Sequence, residues 1–209
     1  MQFAMKKAVL VAALVALSGC GGTRTLMPPR IDLQTFRRIG IVEFSSNTKD
    51  HLQTLASQDF IQSVQESQPG VPMLELGKEN RVLAAIGRDK VDSEAIQAIG
   101  KKFDVDAVII GTLQVGEAKP KVDVKDVFSS LDLQADVEAS LTTKLMETTG
   151  GATVWTRSAR SKETLANAGV SRSGDIYLGA SDPETTYGSL IENLVDHVTQ
   201  DFRPYWVEQ

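Results

Sequence analysis

The side chain with the most reactive chemistry in this chain is a thiol. Cys20 is the only cysteine among 209 residues, and it follows Leu17, Ser18 and Gly19. With no second cysteine it can close no internal disulfide, so any bond its sulfur makes is to a group brought to it. The residues upstream indicate what that group is. Lys6 and Lys7 make a positive start, Ala8 through Leu17 is apolar without a charge, and small residues separate that run from the cysteine. This is the order of an export signal with its cleavage point. The apolar run is too short to remain as a membrane-spanning helix, which takes about 20 residues to cross ~30 Å of hydrocarbon. The sulfur at the end of such a signal is placed for lipid attachment. Two other readings stand beside this one: an ordinary secretory signal with an incidental cysteine, or a buried thiol in a protein never exported. Both require charge, apolar length, small residues and cysteine to coincide without cause.

The run Leu17-Ser18-Gly19-Cys20 resembles the bacterial lipoprotein signal, whose cysteine is acylated and becomes the mature N-terminus. The resemblance implies a membrane partner, reached through two or three acyl chains on Cys20. Each buried methylene contributes about 0.8 kcal/mol and one chain holds only marginally, so that number anchors durably. It also implies, from Gly21 after the cysteine, sorting to the outer membrane with the domain facing the periplasm. The chain then divides into a signal peptide at residues 1–19, a lipidated N-terminus and flexible tether at 20–32, and a single periplasmic α/β domain at 33–209. Pro28-Pro29 in the tether favours extended, unpaired backbone. Fully taut, the tether reaches roughly 40 Å.

Elsewhere the chemistry is sparse, and no catalytic residue, metal site or cofactor is expected. His51 and His197 belong to no H-E-x-x-H pair, and each reads as a solvated helix residue. Their neighbours Asp50 and Asp196 do not make triads with them, because adjacent helical side chains diverge. No G-x-S-x-G elbow supplies a nucleophile. Gly77-Lys78 fails as a phosphate loop, with Pro72 at the first glycine position and Glu79 where Ser or Thr is needed. Asp136 and Glu138 share one face of a strand, where a divalent cation is conceivable and a solvated face is the simpler reading. The formal net charge of −5 becomes about −7 once Lys6 and Lys7 are removed. No basic patch with interleaved aromatics appears, which excludes nucleic acid as the expected partner.

The elements that carry these residues alternate in type. Arg38 to Phe44 reads as a buried strand and Asp50 to Ser67 as an amphipathic helix ended by Pro69-Gly70. Val71 to Leu76 is a second strand, Lys78 to Ile86 a helix, and a third helix starts near Asp92 or Ser93, with Ile96, Ile99, Gly100 and Phe103 on one face. Asp106 to Val115 has the β-branched density of a buried strand. From Leu133 to Leu145, Leu133, Ala135, Val137, Ala139, Leu141 and Leu145 alternate with polar residues, and Thr149-Gly150-Gly151 turns the chain into a hairpin partner at Ala152 to Ala159. The last helix opens with Asp182 and Pro183 and buries Tyr187, Leu190, Ile191, Leu194, Val195, Val198 and Phe202. Two weakly patterned stretches, Glu117 to Ser130 and Lys162 to Ser181, read as loops and as interaction candidates. The expected fold is therefore α/β: a single mixed sheet of about five strands flanked by about four helices, with one long antiparallel hairpin.

The lipobox, the proline-containing segment TLMPPR, the strand RIGIVEF, the stretch LELGKENRVLAAI leading to DAVIIGTLQVGE, and the long strand ending in TTGGATVW resemble the CsgG-like lipoproteins. Those share an α/β fold with the amino-terminal domain of TolB and with LpoB-type activators of peptidoglycan synthases. The resemblance implies a non-enzymatic assembly or accessory subunit of a cell-envelope complex, with an envelope protein partner or self-association. The alternative it carries is a subunit of an oligomeric CsgG-like secretion channel. Membrane strands need about 9–11 residues with lipid-facing apolar side chains, and Lys119, Lys121, Asp123, Lys125 and Asp126 in the first loop weigh against it.

Overall fold

Strands that are apolar on both faces must be covered on both sides, and the layers of this fold follow from that demand. A computed structural model describes residues 23–48, 51–117, 119–121, 134–165, 168–170, 176–178 and 183–208. The chain runs through β1 (Arg24–Met27), a 3₁₀ turn (Leu33–Thr35), β2 (Ile39–Glu43), β3 (Ser45–Ser46), α1 (Leu52–Ser67), β4 (Met73–Lys78), α2 (Glu79–Ile86) and α3 (Ser93–Phe103). It continues with β5 (Ala107–Val115), β6 (Lys119–Lys121), β7 (Gln134–Glu147), β8 (Thr153–Leu165), β9 (Ala168–Val170), β10 (Ile176–Leu178), α4 (Pro183–Thr199), a second 3₁₀ turn (Gln200–Phe202) and β11 (Tyr205–Glu208).

Seven strands form one mixed sheet. Strands β4, β2 and β5 are parallel, with Ile39 beside both Met73 and Ala107. The parallel pairs require crossovers, which α1 supplies between β2 and β4, and α2 with α3 between β4 and β5. The rest is antiparallel: β5 pairs β7 from Ala107↔Glu147 to Val115↔Ala139, and β7 pairs β8 along the hairpin. Strand β6 continues the line of β5 along the same side of β7, Lys119 lying opposite Asp136.

The larger core lies between the sheet and the pair α1 and α4. Leu52, Ala56, Phe60 and Val64 of α1, and Leu190, Ile191, Leu194, Val195 and Val198 of α4, close over Ile39, Ile109, Leu113, Val137, Leu141 and Trp155. Gly111 faces the same layer because the Phe44 ring occupies the space where a Cβ would sit, 2.5 Å away. A smaller core on the other face joins Val82 of α2 and Ile96 and Ile99 of α3 to Val42, Val108 and Met146. Asp92 caps α3, its side chain accepting from the Ala95 amide at 2.9 Å. That bond holds its carboxyl below the usual range. On the outer face of the β7–β8 hairpin α3 reaches Met146, and beyond it Lys144, Thr156, Ser158, Arg160 and Lys162 are exposed.

The α/β class, the mixed sheet, the helices and the long hairpin agree with the sequence reading. Several details differ. The hairpin strand expected to end at Ala159 continues to Leu165, so Lys162 to Leu165 belong to β8 and not to a loop. The rest of that stretch contains a small ladder, Ile176↔Val170 to Leu178↔Ala168. In the first candidate loop, Lys119–Lys121 is paired strand, and residues 122–130 lie outside the described residues. His51 is exposed, as expected, but it precedes the helix in a left-handed conformation with φ 57°.

Candidate functional site

Leu17, Ser18, Gly19 and Cys20 lie outside the described residues. The first element after them is β1, and at most ~3.6 Å per residue puts Arg24 within about 14 Å of Cys20 along the chain. This segment was expected to be an unpaired tether, and at Arg24–Met27 it is not. Strand β1 pairs with the last strand, Arg24 opposite Glu208, Thr25 opposite Val207, Leu26 opposite Trp206 and Met27 opposite Tyr205. The Arg24 guanidinium reaches the Glu208 carboxylate at 3.0 Å. Tyr205-Trp206-Val207 has the aromatic and β-branched character that favours a strand. Pro28, which cannot donate a ladder hydrogen bond, stops the pairing. The prolines act as expected, but their effect begins only after Met27.

The base of this ribbon is tied to the domain through Asp201, whose side chain is 14% exposed. Its carboxylate accepts from the Trp155 indole at 3.1 Å, pairs with Arg157 at 2.7 Å, and meets Arg30 at 3.4 Å. Its backbone carbonyl accepts from the Ile31 amide at 3.0 Å. Burial opposes ionisation of this group, but the hydrogen bonds from Arg157 and Trp155 and the charges of Arg157 and Arg30 outweigh it and hold the carboxyl below its usual value. Arg30 also lies 5.1 Å from the centroid of the Tyr205 ring, a cation–π distance. Gln68 makes a second tie. It is buried, donates to the carbonyls of Ile31 at 2.7 Å and Phe202 at 2.9 Å, and accepts from the Leu33 amide at 2.8 Å. Three guanidiniums, those of Arg30, Arg157 and Arg203, line a recess of about 300 Å³ beside Tyr205.

A groove of about 520 Å³ runs between α1 and α4, with Asp59, Glu66, Glu192 and Asp196 on its walls and Arg203 at one end. Arg203 pairs with Asp196 and donates to Ser63 Oγ at 3.0 Å. The remaining residues singled out by sequence are placed as follows. The His197 Nδ1–H donates to the Asn193 carbonyl in its own helix at 2.7 Å, and the side chain is exposed. Asp136 pairs with Lys162 across the hairpin at 2.9 Å and accepts from Thr164 at 2.7 Å. Among the described residues no group of three or more His, Cys, Asp or Glu side chains could hold a metal ion, and no helix is long and apolar enough to cross a membrane. Gln68 and Asp201 went unnoticed in the sequence. Each is a single polar residue whose partners are remote in the chain, and no local pattern marks it.

No family model matches the chain, and no curated protein matches it. Several solved structures are similar to it. A PelC dodecamer from Paraburkholderia phytofirmans is 13% identical over 88% of this chain and 99% of its own, with a TM-score of 0.46. The lipoprotein GNA1162 from Neisseria meningitidis is 18% identical over 78% and 97%, with a TM-score of 0.39. The LpoB C-terminal domain from Escherichia coli is 10% identical over 73% and 94%, with a TM-score of 0.37. A lipoprotein and an LpoB domain are the kinds of protein that the sequence resembles, but likeness at this level transfers no role to this chain.

Proposed function

We propose that this chain is a lipoprotein of the bacterial cell envelope, acylated on Cys20 after cleavage at Gly19, whose α/β domain works by binding and not by catalysis. It would face the periplasm from the outer membrane, as a non-enzymatic assembly or accessory subunit of an envelope complex. The observation that carries this reading is the ordered signal: Lys6 and Lys7, the uncharged apolar run, then Leu17-Ser18-Gly19-Cys20. The polar groove between α1 and α4 and the exposed side chains on the outer face of the β7–β8 hairpin offer surfaces for a protein partner. The test is mass spectrometry of the chain from its natural host, together with crosslinking in intact cells. A diacyl or triacyl mass on the peptide beginning at Cys20, abolished by Cys20→Ala, and an envelope protein crosslinked to the domain are the expected results. An unmodified, freely diffusing chain would refute the reading. A detergent-stable ring with added β signal in lipid would replace the accessory role by the secretion-channel alternative.

A further inference from the structure

Four of the large apolar side chains exposed among the described residues lie on the β1–β11 ribbon: Leu26 at 52%, Met27 at 37%, Trp206 at 64% and Val207 at 38%. The two others, Leu74 and Val154, lie on β4 and β8. Leu26 and Trp206 are directly opposite in the ladder, so their side chains share one face. A two-stranded ribbon is marginal in water, and one that presents a Trp–Leu pair to solvent needs a surface to cover it.

We infer that the ribbon lies on the phospholipid surface of the membrane that holds Cys20, with Trp206 and Leu26 at the boundary between headgroups and acyl chains. The inference rests on acylation of Cys20. The occupant follows from chain length and charge. With Cys20 at the membrane, Arg24 can stand no more than about 14 Å from it, so β1 is the described element nearest the anchor along the chain. An indole favours that depth, where an apolar body meets a polar edge, whereas Tyr205, its neighbour in the strand, points to the opposite face of the ribbon. The surrounding cations suit lipid phosphates. Arg24 is 69% exposed but paired with Glu208, so the excess lies at the recess beside Tyr205, where three guanidiniums meet the two carboxylates of Asp201 and Asp196. A second copy of the chain could also cover Leu26 and Trp206, but it would bring a second recess with the same excess of positive charge. Phospholipid phosphates would instead offset that excess.

The experiment uses the full acylated chain in vesicles of phosphatidylethanolamine and phosphatidylglycerol, part of the lipid carrying bromine on acyl carbons near the headgroup. Bromine quenches only nearby indoles. The chain has two tryptophans, and Trp155 is buried in the core. The expected result is loss of the Trp206 emission in brominated vesicles, and no bromine-dependent loss in Trp206→Phe, where only Trp155 emits. Leu26→Ser should reduce the quenching while the protein still floats with the vesicles. Flotation without quenching would overturn the inference and leave the anchor intact, because the ribbon would then stand clear of the lipid. An unmodified Cys20 peptide with no flotation would overturn the inference together with its premise. Crosslinks between copies through the ribbon, present in detergent and lost in Trp206→Ser, would overturn it in favour of self-association.

Discussion

Asp201 holds the two ends of the domain to the β7–β8 hairpin, and its ionisation is part of that hold. Its folded carboxyl is lowered by Arg157, Trp155 and Arg30 against the opposing effect of burial. A lowered folded value stabilises the protein above the ordinary carboxylate range, and that contribution is lost as pH falls through the folded value. Asp201→Asn should therefore lower the urea midpoint at neutral pH, and the gap from wild type should close as pH falls below the ordinary aspartate range. Urea titrations across that range read this directly, and a gap independent of pH would assign the loss to geometry alone. None of this was legible in the sequence. Asp201 sits among Gln200, Phe202 and Arg203 with nothing to distinguish it, and Trp155, within an apparent hairpin strand, gives no sign of where its N–H goes. Cys20 is the opposite case: its proposed acylation rests on a local pattern, the charge and hydropathy of the residues just before it.

Among the elements, helix docking depends on a run of aromatic rings that crosses the larger core. Phe44 meets Phe60 at 5.4 Å between centroids, Phe60 meets Phe202 at 6.0 Å, and Phe202 meets Trp155 at 4.7 Å. Phe60 is the only contribution of α1 to this run, and it links β2's extension to the C-terminal turn and the hairpin. Phe60→Ala should cost about 3–5 kcal/mol, the range for deleting a buried aromatic. A fall in urea midpoint with unchanged slope would show this, whereas a loss below about 1 kcal/mol would mean that the core collapses around the site. Periodicity made this layer readable, since the spacing of Leu52, Ala56, Phe60 and Val64, and of Leu190, Ile191, Leu194 and Val198, marks helices with one buried face. Strand β8 was legible only in its first half. Beyond Ala159 the inward positions are Ser161 and Glu163, and the Ser189 hydroxyl donates to the Glu163 carboxylate at 2.6 Å. An inner face that is polar leaves no period-two signal. Strands β1 and β11 were missed for a different reason: they are short and exposed, and their partners stand at opposite ends of the chain.

At the scale of the whole molecule, the β1–β11 ladder places Arg24–Met27 beside Tyr205–Glu208. Pulling on an acylated N-terminus would load the ribbon first, before Gln68 and Asp201 take up the strain. With Cys20 acylated as proposed, the ribbon's own backbone bonds would protect the short link to the membrane. A chain ending at Pro204 keeps Phe202, Asp201 and the Gln68 hydrogen bonds, so the larger core should survive and the thermal midpoint should change little. Strand β1, however, loses β11, its partner among the described residues, and Arg24 loses Glu208. An unpaired, solvated segment is the preferred site of proteolytic nicking. With the acylated chain in vesicles, trypsin should therefore cut at Arg24 or Arg30 and release the truncated domain into the soluble fraction faster than the full-length one. Native-state hydrogen exchange in β5 and β7 should remain as slow as before. Equal release rates would show that the ladder does not shield the link. Faster exchange throughout the sheet would show instead that the C-terminal strand is part of the cooperative core, and that the ends of this domain stabilise it as well as guard its attachment.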